Sequence, residues 1–211
     1  MLKVGGASVG TIELPDEPTV VVHGAGPQIS REMERRGLRP RFVAGRRVTT
    51  PEVLEIVRES FAEVGSAVCA VIGPRAVPLF GDEIGLEARQ VPGLGLVGEP
   101  LPCAPAALLD VLHAGRVPVV APLAAGPLNV NADEAAAALA IGLGAERLLF
   151  LTDVPGVLHD GELLETIEAG RAEALVGDRS FEGGIVPKLL AAAQAARGGL
   201  VAEIGATAVV A

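Results

Sequence analysis

The sequence predicts an α/β protein built on a largely parallel sheet with helices covering both faces. Three observations carry that reading. Short, β-branched apolar runs alternate with longer helical patterns, and such alternation implies crossover connections. The runs are apolar almost throughout, as in strands buried on both sides. Half of the residues are hydrophobic but only 2% are aromatic, with no Trp or Tyr, so the core must be packed with Val, Leu, Ile and Ala. A chain of 211 residues suffices for one sizeable core and is expected to form one domain.

Taken in order, the chain opens on a strand of a few residues around Lys3. The buried strands are then read in TVVVHGAG (19–26), SAVCAVIG (66–73), RVPVVAPL (116–123), RLLFLTDV (147–154) and LVAEIGATAVV (200–210). Helices are read in PQISREMERRG (27–37), PEVLEIVRESFAEVG (51–65), APAALLDVLHAG (104–115), ADEAAAALAIGLGA (132–145) and PKLLAAAQAARGG (187–199). Several of these open near Pro and close at Gly, the usual asymmetry of helix ends. Residues 78–103 are rich in Gly and Pro and are read as hairpins or an irregular insertion at the sheet edge. No repeat or linker divides the chain.

The formal charge of −9 and the missing aromatics argue against a nucleic-acid surface, which needs a basic stripe and stacking rings. Cys69 and Cys103 are too few and too far apart for a zinc or redox motif, so no protein-held metal is expected. Neither a signal-peptide pattern nor an uncharged run of membrane-spanning length is present, which points to the cytoplasm.

Four unusual stretches fall where strands run into helices, the place where parallel sheets bind ligands. VVVH leads into Gly24-Ala25-Gly26-Pro27, whose amides and helix start suit an anion. The Gly that a dinucleotide fingerprint needs next is Ile29 here, and a tight glycine turn with no ligand is the commoner account of an isolated Gly-X-Gly. In LNVNAD, Asn131 and Glu134 can form a capping box. Asn129 is left free to face a pocket, and Asp133 fits a pocket residue as well as a favourable acid in the first helical turn. Asp153 ends a strand, either as a turn former or beside a ligand.

Only two of the 17 basic residues are lysines, Lys3 beside Gly5-Gly6 and Lys188 in GGIVPK. Lys188 falls near the start of a helix, where a cation opposes the dipole at a handicap of roughly 0.3–1 kcal/mol. A bound polyanion would reverse that sign. Paired glycines let a backbone approach phosphate closely. No Walker A loop exists, so a nucleotide would need a different cradle.

Seven motifs, in order, carry a resemblance that spans nearly the whole chain: KVGG (3–6), VVHGAGPQI (21–29), GRRVT (45–49), LGLVGE (94–99), PLNVNADEAAAALA (127–140), LTDVPGVL (151–158) and GGIVPK (183–188). They resemble the amino acid kinase family, and Arg47-Val48-Thr49 is similar to its acetylglutamate branch. The resemblance implies a three-layer αβα sandwich, shortened at both ends. Residues 1–125 would bind N-acetyl-L-glutamate and 126–211 would bind ATP, with Mg2+ carried by the nucleotide. It further implies ATP-dependent phosphorylation of the substrate's side-chain carboxylate, in arginine biosynthesis, by a homodimer or higher assembly.

By the same resemblance, Lys3 and Lys188 would hold the transferring phosphoryl group and Asp133 would orient both ammoniums. Arg47 and Asn129 would grip the α-carboxylate and acetamido part, and Ala25 and Gly26 would present amides to the reacting end. Gly5 and Gly6 would approach the phosphates. Asp153, Gly156, Val157, Leu158, Ser180, Glu182 and Gly183 would line the nucleotide. The chain departs from the family's pattern at Ala25, usually glycine, and in the 16 residues between Gly6 and His23, too few for a first crossover helix. Beyond Arg197 a strand and a helix are missing. These departures keep open a kinase for an acetylaminoadipate or carrier-linked substrate, and a trimmed, non-catalytic regulatory homologue.

Overall fold

A computed structural model describes residues 1–5, 10, 12–177, 181 and 183–211. The elements are β1 (Leu2–Val4), β2 (Val21–His23), α1 (Gly26–Arg35), β3 (Phe42–Val43), β4 (Arg46–Arg47), α2 (Pro51–Ile72), β5 (Ala76–Phe80) and α3 (Gly81–Ile84). They continue with β6 (Ala88–Gln90), β7 (Val97–Pro100), α4 (Ala106–His113), β8 (Val117–Ala121), β9 (Leu123–Ala124), β10 (Leu128–Val130), α5 (Ala132–Gly142) and β11 (Arg147–Leu151). The last are β12 (Leu158–His159), β13 (Glu162–Leu163), β14 (Thr166–Glu168), α6 (Ala169–Gly177), α7 (Ile185–Arg197), β15 (Val201–Ile204) and β16 (Thr207–Val210).

The expected αβα sandwich is what forms. Eight strands make one sheet in the order β14-β16-β15-β11-β1-β2-β8-β5. Every pairing in it is parallel except β15 with β16. Side-chain alternation sorts neighbouring residues to opposite faces. Leu2, Val4, Val21 and Val119 pack with α1 and α2, while Val22, Val120, Leu148 and Phe150 pack with α5 and α7. Ala135–Ala140 apart from Leu139, and Ala191–Ala196 apart from Gln194, are buried alanines. Their small side chains let α5 and α7 lie close against each other and the sheet. A chain almost without aromatics fills its core in this way.

Three expectations are corrected. SAVCAVI is the C-terminal part of α2, a helix of 22 residues closed by Gly73, and the strand is Ala76–Phe80 instead. A short apolar run does not by itself distinguish a buried helix turn from a strand, and Val64 and Val68 continue the buried stripe begun at Val53, Ile56, Val57 and Phe61. LVAEIGATAVV is two antiparallel strands, not one, because Gly205 (φ +55°) turns the chain between β15 and β16. The segment 78–103 is not wholly an insertion. It begins inside the main sheet and then supplies β6 and β7 to a second sheet of order β6-β7-β10-β9. Residues 12–20 enter β2 without a helix, and the rest of the expected helix-free connection lies largely outside the described residues.

His23, the last residue of β2, is buried edge-on to Phe61 with ring centroids 5.8 Å apart. Burial pushes its imidazole down to about 4. An unfolded chain would take up a proton near 6.5 that the native state refuses until about 4, so stability is lost as pH falls through that window. The expected loss is up to ~3 kcal/mol, read from urea melts at a series of pH values. His23→Asn should flatten that acid slope, and an unchanged slope would remove the explanation.

Candidate active site

The parallel strands β1, β2 and β11 end side by side, and the residues that follow them open into one cleft of about 450 Å³. Gly5 and Gly24 follow β1 and β2, and Thr152 and Asp153 follow β11; all line it. So do Gly26, Ala132 and Gly184, at the starts of α1, α5 and α7. Three helix N-termini therefore point partial positive charge at the same space, a natural anion site.

Lys3 is placed by strand alternation. Its neighbours Leu2 and Val4 bury against α1 and α2, so its own side chain passes to the α5 face and is only 5% exposed. There Asp133 meets it. Asn131 caps α5 by accepting from the backbone N–H groups of Asp133 and Glu134, which fixes the first turn. Lys3 Nζ lies 2.8 Å from Asp133 Oδ1, a close ion pair whose angles fall short of a directed hydrogen bond.

The other oxygen, Oδ2, is 4.0 Å from Lys188 Nζ. Helix α7 opens at Ile185, two residues before Pro187, so Lys188 sits one turn inside and leans back toward the helix start, donating to the Gly184 carbonyl at 3.3 Å. Burial lowers the Lys188 pKa, Asp133 and Asp153 oppose that shift, and Lys3 adds to it. One carboxylate thus gathers two ammoniums from opposite ends of the chain at the mouths of three helices. Neither lysine is a spectator on the surface.

Arg47 forms the opposite wall, carried by the β3–β4 hairpin whose turn residues, Ala44 and Gly45, both have positive φ. The residue is 6% exposed, and its guanidinium donates to the Gly26 carbonyl (3.0 Å), Ser30 Oγ (2.9 Å) and Met33 Sδ (3.2 Å) and lies over the Phe42 ring. Among the described residues no carboxylate pairs with it, and burial lowers its pKa to about 10. A buried cation without a counter-ion invites an anionic ligand.

Asn129, on β10, donates to Thr49 Oγ1 (3.0 Å), which in turn donates to the Arg47 carbonyl (2.7 Å). The segment after Arg47 is held to the second sheet where Thr49 pairs with Leu94 and Leu96. Gly95 is required there: its φ is +78°, and a Cβ would lie 2.2 Å from the Thr49 carbonyl.

Lys3, Gly5, Ala25, Gly26, Arg47, Asn129, Asp133, Asp153 and Lys188 are brought together in this cleft. Gly156, Val157 and Leu158 are not among its lining residues. Val157 is fully buried and donates its N–H to Thr207 Oγ1, while Leu158 is exposed in β12. Gly183 lines an adjoining groove with Pro187, not this cleft. Gly6, Ser180 and Glu182 lie outside the described residues. Gly24, read from the sequence as part of an anion-binding turn, lines the cleft, whereas Thr152 and Gly184 were missed although each lies inside a motif already singled out.

The description "Amino acid kinase family" applies to a family model that matches residues 3–205. An acetylglutamate kinase of Rubrobacter xylanophilus is 42% identical over 97% of this chain and 87% of that protein. One from Thermus thermophilus is 40% identical over 94% and 86%. The Saccharopolyspora erythraea acetylglutamate kinase is 44% identical, and the chain spans 66% of its length. Among solved structures, the protein smu.665 from Streptococcus mutans superposes with a TM-score of 0.88 at 24% identity, covering 99% of this chain and 97% of that one. The N-acetylglutamate synthase of Neisseria gonorrhoeae, crystallised with coenzyme A and L-arginine, gives 0.79 at 23%, over 99% of this chain and 60% of that one.

Proposed function

The chain belongs to the amino acid kinase family, and from that premise we propose that it transfers the γ-phosphoryl group of ATP to the side-chain carboxylate of N-acetyl-L-glutamate, a step of arginine biosynthesis. The observation that carries this reading is the pair of ammoniums on Asp133, facing an unpaired buried Arg47 across one cleft. A carboxylate oxygen attacks the γ-phosphorus, the bond from that phosphorus to the β–γ bridging oxygen breaks, and ADP leaves. The product is an acyl phosphate.

The nucleophile has a reference pKa of about 4.3 and is ionised at neutral pH, so the reaction calls for no general base. The three histidines support this economy: His23 is in the core, His113 ends α4 and His159 lies in β12, all away from the cleft lining. Catalysis then rests on positioning and on neutralising charge that spreads over the phosphoryl oxygens. Lys3 and Lys188 supply compact positive charge, and Asp133 keeps the two from drifting apart under mutual repulsion. Arg47 and Asn129 hold the substrate's α-carboxylate and acetamido group, while Ala25 and Gly26 present helix-start amides to its reacting end. Gly5 and the helix starts cradle the phosphates, with Asp153 on the nucleotide side. Mg2+ would arrive on the nucleotide. Among the described residues no group of three or more His, Cys, Asp or Glu converges to hold an ion independently.

One continuous eight-stranded sheet supports a single domain, with a substrate lobe (1–125) and a nucleotide lobe (126–211). No helix among the described residues is long and apolar enough to cross a membrane. A cytoplasmic homodimer is proposed as the working assembly. Coupled ADP release with N-acetylglutamate, acetylaminoadipate and glutamate, alongside hydroxylamine trapping of the acyl phosphate, tests the activity. Turnover is expected with N-acetylglutamate. A preference for acetylaminoadipate would move the substrate one methylene, and no turnover with any would leave a ligand-binding regulator.

A further inference from the structure

The hairpin that carries Arg47 is the least supported part of the cleft: two strands of two residues, with Phe42 and Val43 exposed. Its tip nonetheless approaches the phosphoryl side closely at one point and bonds to it at two more. Gly45 stands where a Cβ would be 3.2 Å from Pro187 Cγ, one residue before Lys188. Asn131, the cap of α5, donates to the Gly45 carbonyl at 3.4 Å. The third contact is the strongest. Arg46 Nε donates to both oxygens of Glu134 (3.0 and 3.2 Å), and Arg46 Nη2 donates to Glu99 on β7 at 3.1 Å.

Glu134 follows Asp133 in the first turn of α5. It is half-buried, its pKa raised chiefly by burial and drawn down again by Arg46. The Arg46–Glu134 pair, each side chain about 20% exposed and joined by directed charge-assisted hydrogen bonds, is worth more than an exposed pair, while the half-exposed Glu99 adds less. The three residues sit on three separate elements: β4, β7 and the start of α5.

We infer that Arg46 is a positioning residue that braces the substrate hairpin against the helix start bearing Asp133, so that Arg47 and the two-lysine clamp keep one fixed separation. Arg46 also lines the cleft, but its Nε and Nη2 donors are committed to Glu134 and Glu99, so it acts through the hairpin and not on the reacting atoms. The inference rests on the proposed acetylglutamate kinase activity only for its kinetic readout. It differs from a role in overall stability because the contacts hold one short hairpin, not the core.

The test compares Arg46→Met, Arg46→Lys, Glu134→Gln and the double variant Arg46→Met/Glu134→Gln with the parent protein. Arg46→Met should raise KM for N-acetylglutamate about tenfold or more, the scale of one lost charge-assisted hydrogen bond, with KM for ATP nearly unmoved. Arg46→Lys should recover part of that loss. The double variant should be no worse than Arg46→Met alone, because both changes break one contact. Amide exchange of residues 42–47, measured without substrate, should quicken by about tenfold in Arg46→Met while α2 is unchanged. Equal KM values, multiplicative effects of the two changes, or unaltered exchange in the hairpin would each overturn the brace. Should the parent protein fail to phosphorylate N-acetylglutamate, the assigned substrate falls, and the exchange measurement alone decides the role of Arg46.

Discussion

Lys188→Met should lower kcat about 100- to 1,000-fold while moving KM for either substrate much less, the pattern of a charge that acts on the transition state. Lys188 stands one turn inside α7, with Asp133 Oδ2 4.0 Å from its nitrogen and the α7 start beneath it. Ground-state phosphate is also attracted to this nitrogen, but negative charge develops on the migrating group as the bridging bond breaks, and the ammonium gains most there. Folding should tolerate the change. The side chain's own hydrogen bond is to a backbone carbonyl in its own helix, and Lys3 stays on Asp133 at 2.8 Å. Steady-state kinetics beside a thermal melt separates the two outcomes.

Lys188→Arg tests the shape of the charge: a planar guanidinium is larger and reaches differently, so kcat should remain depressed. A kcat near the parent value in both variants would refute the clamp. Lys3 is the less informative target. Removing one half of a buried ion pair costs about 3–5 kcal/mol, and loss of the fold would mask the loss of chemistry.

The second large effect is expected at Arg47. Arg47→Met should raise KM for N-acetylglutamate about 100-fold, in line with the ~1.5–3 kcal/mol of hydrogen bonds to a charged group, and leave kcat at saturation within a few-fold. The same variant should melt at the parent temperature or above. In the ligand-free protein Arg47 is a desolvated cation whose hydrogen bonds go to Gly26, Ser30 and Met33, with no carboxylate among the described residues to compensate it. Methionine fills the space beside Phe42 without that penalty. Lower affinity with equal or greater stability is the mark of a residue kept for a ligand. Unchanged KM would assign the carboxylate grip elsewhere. With a pKa of about 10, Arg47 holds its charge through neutral pH, so substrate affinity should weaken only as pH rises through about 10.

Much of this site is legible in the order of the residues. Asn131 as a helix cap, Asp133 beside it, glycines after strands and two isolated lysines are local features, and local features are what a sequence displays. The misread segments share a physical origin. SAVCAVI is apolar on every side, so its period is uninformative, and only its continuity with the buried stripe of α2 makes it helical. LVAEIGATAVV is apolar on both sides of Gly205 and hides a reversal that one positive φ produces. Val157 matches a nucleotide-lining motif yet is taken up by the core, where its N–H is satisfied by Thr207. The Arg46 network joins β4, β7 and α5, and no spacing along the chain announces it.

Composition and order therefore determined the class of fold, the alanine-packed interior and which residues were out of place for a purely structural role. Whether Lys3 and Lys188 would share one carboxylate was decided only by the packing of sheet and helices. Strand β1 sits between β11 and β2 in a crossover topology, which sets Lys3 under the start of α5, while α7 packs on α5 and delivers Lys188 to the same aspartate. Periodicity along a chain reports what each segment buries. It carries no record of which distant segment will do the burying, because that choice is made only when the layers close on one another.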